Sequence, residues 1–265
     1  MKMRAHKWRA AVLVAALGGA FVALAYLLST APLVPQMQTV PARKPPTPII
    51  ALTFDDGPSP QYTPEILKLL TRYHAHATFF VLGSQVAQFP NLARDIVKQG
   101  SVIANHGYNH VNYFRIGVVG VARDADRAET LLKKEKIPMA PFYRPPYGNS
   151  NTRLVSALSH EGYTVTLWSI DTCDWAMPGT TFITRKVLTN AQSGAIVLMH
   201  DSGGNRSQTV RALAAILPVL ESEGYRFVTM PQYVREFGLK SPPKLPLPAK
   251  PPATKEANHK RAARH

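Results

Sequence analysis

From residue 49 to residue 239, short unbroken apolar runs alternate with amphipathic stretches. The runs are "IIALTF" (49–54), "ATFFVL" (77–82), "SVIAN" (101–105), the pair "FY" (142–143), "YTVTLWSI" (163–170), "AIVLMH" (195–200) and "YRFVTM" (225–230). Most are rich in β-branched or aromatic residues, and short continuous runs of that kind read as strands covered on both faces. Between them, apolar positions recur at helical spacing over Pro64–His74, Asn91–Gln99, Val118–Lys136, Thr152–Glu161, Phe182–Ala191 and Val210–Ser222. Glu129 stands four residues before Lys133, the favourable order for an ion pair along a helix.

Strands alternating with helices predict an α/β fold with a largely parallel sheet. About seven βα units in under 200 residues suit a distorted or incomplete parallel (β/α) barrel in a single domain, residues 49–239, and no internal repeat is visible.

One apolar run is different. Ala10–Leu28 holds 19 uncharged residues after four bases, close to the roughly 20 needed to span a bilayer core. Residues 1–30 are therefore expected to form a membrane anchor or signal segment. An uncleaved anchor fits the length better than a cleaved signal, for which "ALA" at 23–25 or "STA" at 29–31 would be the processing site. Positive flanks stay cytoplasmic. The expectation is thus a single pass through a bacterial inner membrane with the rest of the chain in the periplasm or outside, or secretion if the segment is cut. Residues 31–48 carry six prolines and read as an extended linker; residues 240–265 read as a basic, Pro/Lys-rich disordered tail.

The formal charge of +15 suggests a nucleic-acid binder only until it is mapped. Residues 49–239 hold 18 Lys/Arg against 15 Asp/Glu, so most of the excess lies in the two ends. Nucleic acid is not an expected partner. The single Cys173 excludes an internal disulfide.

Polar residues cluster just past the strands: "TFDDGP" (53–58), "NHGYNH" (105–110), "RPPYG" (144–148), "DTCDW" (171–175) and "MHD" (199–201). In a parallel barrel these strand ends share one face, so five distant segments converge there. His106 and His110 are spaced i, i+4, which on a helical turn puts both rings on one side. Two neutral imidazoles and one carboxylate, with a position left open, suit a catalytic divalent ion: zinc first, with cobalt, nickel or manganese as alternatives. Either Asp55 or Asp56 suffices as the third ligand, leaving the other to act as a base. Read alone, the pair also fits a turn before Gly57-Pro58. Arg144 is suited to balance the two carboxylates, unless it is an ordinary surface arginine. The neighbouring prolines stiffen a turn whose amide suits an oxyanion. His200 suits a general acid, with Asp171 or Asp174 as its carboxylate partner, or else a core histidine. Trp175 and Leu198 suit a small apolar wall, or plain core.

Taken together, these motifs resemble the polysaccharide deacetylases of carbohydrate esterase family 4, the NodB-homology group. "TFDDGP", "RPPYG", "DTCDW" and "IVLMH" match the first, third, fourth and fifth family motifs, and the similarity spans roughly residues 48–238. The resemblance implies a distorted (β/α) barrel and metal-dependent removal of acetyl groups from an acetylated polysaccharide such as peptidoglycan or chitin-type oligomers. It implies Asp55 as general base, Asp56, His106 and His110 as metal ligands, and Arg144 as the group that orients Asp55. It further implies the Tyr147 amide at the oxyanion, His200 as general acid tuned by Asp174, and Trp175 with Leu198 around the acetyl methyl. The second motif departs from the pattern, with Gly107 where the family usually has Ser or Thr, so a loop hydrogen bond is expected to be lost. A non-catalytic, membrane-tethered glycan-binding module of the same fold is the competing expectation.

Overall fold

A computed structural model describes residues 45–239. The expected anchor or signal segment, most of the linker and the basic tail lie outside the described residues. Among those described, no helix is long and apolar enough to cross a membrane.

Eight strands and eight helices alternate along these residues. The strands are β1 (Ile49–Asp55), β2 (Thr78–Val81), β3 (Val102–Asn105), β4 (Phe142–Tyr143), β5 (Thr164–Val165), β6 (Ile170–Asp171), β7 (Ala195–His200) and β8 (Arg226–Phe227). The helices are α1 (Thr63–Arg72), α2 (Gly83–Gln88), α3 (Pro90–Lys98), α4 (Tyr113–Lys134), α5 (Thr152–His160), α6 (Thr180–Leu188), α7 (Ser207–Ser222) and α8 (Met230–Glu236). All strand pairings are parallel, in the order β5-β4-β3-β2-β1-β7-β6, with β8 pairing the first residues of β1. β5 and β6 are consecutive in sequence yet lie at opposite edges of the sheet, so the curled sheet is an incomplete barrel.

Alternation along β1 shows how the layers arise. Ile50, Leu52 and Phe54 face the outer helices and pack with Ile66 and Leu70 of α1 and with Leu213, Ile216 and Leu217 of α7. Phe54 stacks on Phe79 of β2 with ring centroids 5.1 Å apart. Ile49 and Ala51 face inward and join Phe80, Ala104, Val228, Met230, Tyr233 and Phe237, a second apolar cluster that plugs the amino end of the barrel. Each fully buried Ile, Leu, Val, Met or Phe among them contributes about 1.5–3 kcal/mol. Thr53 and Asp55 continue the inward series, so the interior turns polar toward the carboxyl end. Parallel register levels that end: Asp55 aligns with Phe80 on one side and with His200 on the other.

Four local expectations are corrected. "YTVTLWSI" is not one strand but β5 and β6, because residues 166–169 leave the sheet to cross the gap between its edges. "YRFVTM" is strand only at Arg226–Phe227; Thr229 and Gln232 form a capping box that starts α8 at Met230. The helix expected from Val118 is the regular part of α4, whose first turn is set off by Gly117 at φ 65°. The i, i+4 histidines are not helical, since residues 106–110 form a loop in which Gly107 and His110 take positive φ. The Glu129–Lys133 pair is present, at 2.6 Å.

Candidate active site

Asp55 ends β1 and is nearly fully buried. Its Oδ1 accepts a 2.8 Å hydrogen bond from Nη1 of Arg144, which has no exposed surface. Arg144 is therefore not a surface arginine. Nη1 also donates to Thr53 Oγ1 at 2.7 Å, while Nε and Nη2 donate to the carbonyls of Thr166 and Leu167 at 3.2 Å. Those carbonyls are free because the chain leaves the sheet there. The bridge across the barrel gap thus forms the seat for the guanidinium, with Phe80 beneath it at 4.1 Å.

Asp56 follows in the left-handed region at φ 74°, which swings its side chain away from that of Asp55. Its Oδ1 lies 3.5 Å from His106 Nε2 and 3.4 Å from His110 Nε2. That oxygen is buried and accepts no hydrogen bond. Nδ1 of His106 lies 2.7 Å from the carbonyl of Arg144, which can only accept. The proton is therefore placed on Nδ1, and the Nε2 lone pair is presented to Asp56. One ligand atom from each of Asp56, His106 and His110 lies within 4.8 Å of the others. A buried carboxylate oxygen without a donor, faced by two imidazole nitrogens, fits a divalent cation held by nitrogen and oxygen ligands.

The charges favour the same arrangement. Burial alone would raise the Asp56 carboxyl, but His106, helped by His200 and His110, holds it down at about 2. Burial disfavours a charged His106, yet Asp55 and Asp56 outweigh it and raise that imidazole. Burial lowers His110.

His200 stands across from these residues at the end of β7. Its Nδ1 is 2.7 Å from Asp174 Oδ1, and its backbone N–H donates to Asp174 Oδ2 at 2.9 Å. Thr209 Oγ1 of α7 donates to the same Oδ2 at 2.7 Å. Asp174 is therefore the partner of His200, while Asp171 instead accepts from the Cys173 amide at 2.8 Å. Burial opposes a charged His200, and the Asp174 hydrogen bond reverses this, raising the imidazole above its ordinary value.

Tyr147 is left-handed at φ 62°, and its exposed ring meets His110 edge-on at 4.5 Å. The amides after it, Gly148 and Asn149, are bonded to the carbonyls of Pro145 and Pro146. Trp175 is 57% exposed and Leu198 is buried on the inward series of β7 with His200, so the two differ in accessibility. The structure brings together Asp55, Asp56, His106, His110, Arg144, Asp174 and His200 through the contacts above, and ties Tyr147 to them through His110.

Three further residues escaped the sequence reading. Asp201, in "MHD", is fully buried beneath Gly57, where a Cβ would run into its carboxylate. Burial raises it to about 7, and it accepts from Thr63 Oγ1 at 2.5 Å. Arg206 is buried against the carbonyls of Ser202 and Gly203 in the loop after His200. Asp124 of α4 accepts from two amides of the histidine loop. Adjacency to His200 marked Asp201; nothing in helical periodicity marked the other two.

A family model described as polysaccharide deacetylase matches residues 42–166. The chain is 45% identical over 190 residues to a peptidoglycan-N-acetylglucosamine deacetylase of Bacillus cereus, covering 71% of this chain and 88% of that one. It is 35% identical over 195 residues to a chitooligosaccharide deacetylase of a Bradyrhizobium species, covering 69% and 89%. Among solved structures, the peptidoglycan deacetylase PdaC of Bacillus subtilis superposes with a TM-score of 0.67 at 33% identity, covering 73% of this chain and 93% of that one. The fold and these relatives agree, and the chain belongs to the polysaccharide deacetylase family of hydrolases.

Proposed function

We propose that this enzyme hydrolyses the acetamido group of N-acetylglucosamine in a cell-envelope glycan, peptidoglycan first, releasing acetate and a free amino sugar. Chitin-type oligomers and O-acetylated sugars are the neighbouring substrates. The observation that carries the reading is the register of β1 and β7. It sets Asp55 beside His200 on adjacent strands, the one bonded to Arg144 at 2.8 Å and the other to Asp174 at 2.7 Å.

Asp56, His106 and His110 would hold one divalent ion, zinc by their chemistry. When bound, that ion supplies Lewis acidity to the acyl carbonyl and makes water a better nucleophile. Asp55 takes the proton of the attacking water, and the Arg144 hydrogen bond to Oδ1 orients that carboxylate. The Tyr147 amide donates to the developing oxyanion. As the carbon–nitrogen bond breaks, Nε2 of His200 gives its proton to the departing amine. Asp174 fixes the ring by holding Nδ1–H. Leu198 and Trp175 flank the acetyl methyl.

The apolar run after four bases and the Pro-rich linker support placing the enzyme outside the cytoplasm, tethered to the inner membrane, or secreted if the run is removed. A binding module without catalysis would have no use for the Asp174–His200 pair. Acetate release from peptidoglycan, chitooligosaccharides and acetylated xylan, before and after exhaustive chelation and zinc re-addition, tests the proposal. The expected result is release from the N-acetylated glycans, lost on chelation and restored by zinc. Undiminished release after chelation overturns the metal assignment, and no release from any N-acetylated glycan overturns the reaction.

A further inference from the structure

The loop from His106 to His110 carries two of the three ligand side chains, yet no regular hydrogen-bonding pattern fixes it. Its backbone groups are satisfied one at a time. The Gly107 amide donates to Asn105 Oδ1 at 2.7 Å. The carbonyls of Gly107 and Tyr108 accept from the amides of Gly83 and Ser84, at 2.9 and 3.0 Å, at the start of α2. The amides of Tyr108 and Asn109 both point at one atom, Oδ2 of Asp124, at 2.7 and 3.3 Å. Asp124 lies on the buried face of α4 with Val121, Ala125 and Ala128, so this acceptor is fixed to the body of the fold.

Position 107 explains why the acceptor comes from outside the loop. Gly107 is at φ 86°, and a Cβ there would come within 2.5 Å of that same Oδ2. Asp124 therefore occupies the space that a side chain at 107 would need. The Tyr143 hydroxyl, buried and without a hydrogen-bond partner among the described residues, would lie 3.7 Å from the same Cβ. Arg127, one residue short of a full turn beyond Asp124, covers the Tyr108 ring at 3.5 Å and completes the clamp from α4.

We infer that Asp124 is a positioning residue for the metal-binding loop: its carboxylate replaces the loop's own missing side-chain bond at Gly107 and sets where His110 stands relative to His106 and Asp56. The inference rests on the metal-site reading above. Asp124 contacts no ligand atom of the site, so it acts through the geometry of the loop, as outer-shell partners of metal ligands do.

Calorimetric titration of zinc into the metal-stripped full chain, with circular dichroism and melting of each apo protein, tests it. Wild type, Asp124→Ala, Asp124→Asn, Gly107→Ser and the double variant Gly107→Ser/Asp124→Ala are compared. The expected loss in zinc affinity for Asp124→Ala is about 10–100-fold, with native circular dichroism. Asp124→Asn keeps an oxygen acceptor and stays within a few-fold of wild type. In the double variant, Asp124→Ala removes the Cβ clash but serine at φ 86° remains strained, so it is expected to bind zinc no better than Asp124→Ala. Full wild-type affinity in Gly107→Ser alone would overturn the role. If wild type binds zinc and Asp124→Ala binds it equally well, the positioning role is overturned while the metal site stands. The role is also overturned if Asp124→Asn is as weak as Asp124→Ala, since charge rather than acceptor geometry would then matter. If wild type itself binds no zinc, the metal-site reading fails first.

Discussion

The two ends of this barrel are built from the same strands by opposite rules. At the amino end, Ile49 and Ala51 of β1 meet Val228, Met230, Tyr233 and Phe237 in a plug that contributes mainly through buried area, with one side-chain hydrogen bond from the Tyr233 hydroxyl to the Gly194 carbonyl. Two and four residues later on the same inward face, Thr53 and Asp55 each have named partners at hydrogen-bond distance. The backbone differs in degree. Asp56, His110, Tyr147 and Cys173 all take left-handed φ values at the carboxyl end, a conformation that costs non-glycine residues about 1–3 kcal/mol each. At the amino end, among the described residues, His74 and Lys136 do the same in the turns that lead into β2 and β4. The apolar end holds the sheet together, and the polar end uses that rigidity to keep strained turns and buried charges in place.

If this division is real, substitutions at the two ends should separate activity from stability. The largest effect is expected from Asp55→Asn, which keeps an oxygen for Arg144 Nη1 but removes the base. Turnover should fall by about 10²–10⁴-fold while zinc stays bound and melting changes little. Steady-state acetate release with metal analysis checks it, and near-normal turnover would remove Asp55 from its role. Next comes Phe237→Ala at the closed end, expected to cost about 3–5 kcal/mol of stability. The melting temperature should drop by roughly 10 °C, with kcat at low temperature unchanged. A selective loss of kcat there would erase the division.

The smallest effect sharpens the polar end alone. His200 must carry a proton to protonate the leaving amine, and Asp174 holds its pKa above the ordinary imidazole value. Activity should therefore fall as pH rises through that raised pKa. Asp174→Asn lowers the pKa, so the alkaline limb of the rate profile should move to lower pH. A limb that stays put would mean another group donates the proton.

How much of this was legible in the sequence follows from the same division. Continuous apolar strands announce themselves by composition, so β1, β2, β3 and β7 were visible, and the polar residues at their ends stood out by contrast. "YTVTLWSI" was misleading because its composition suits a strand while its carbonyls are needed by Arg144, a demand set by a residue 22 positions away. The HxxxH spacing picked out two rings that the structure does bring together, but not through a helical turn. A loop with two left-handed residues brings those rings together, and only Gly107 hinted at it. Asp124 was hidden because on α4 it reads as one more polar helix position. Its importance lies in two amides that no sequence pattern reports.

Gly57 of "TFDDGP", joined to Pro58 by a cis peptide bond, has a φ outside the left-handed region, so no positive φ demands glycine there. The restriction comes from Asp201, 144 positions downstream. A scan of single substitutions will score position 57 as immutable. A library varying both positions together should find tolerated combinations with a smaller residue at 201, and the two sites will then behave as one coupled unit of inheritance.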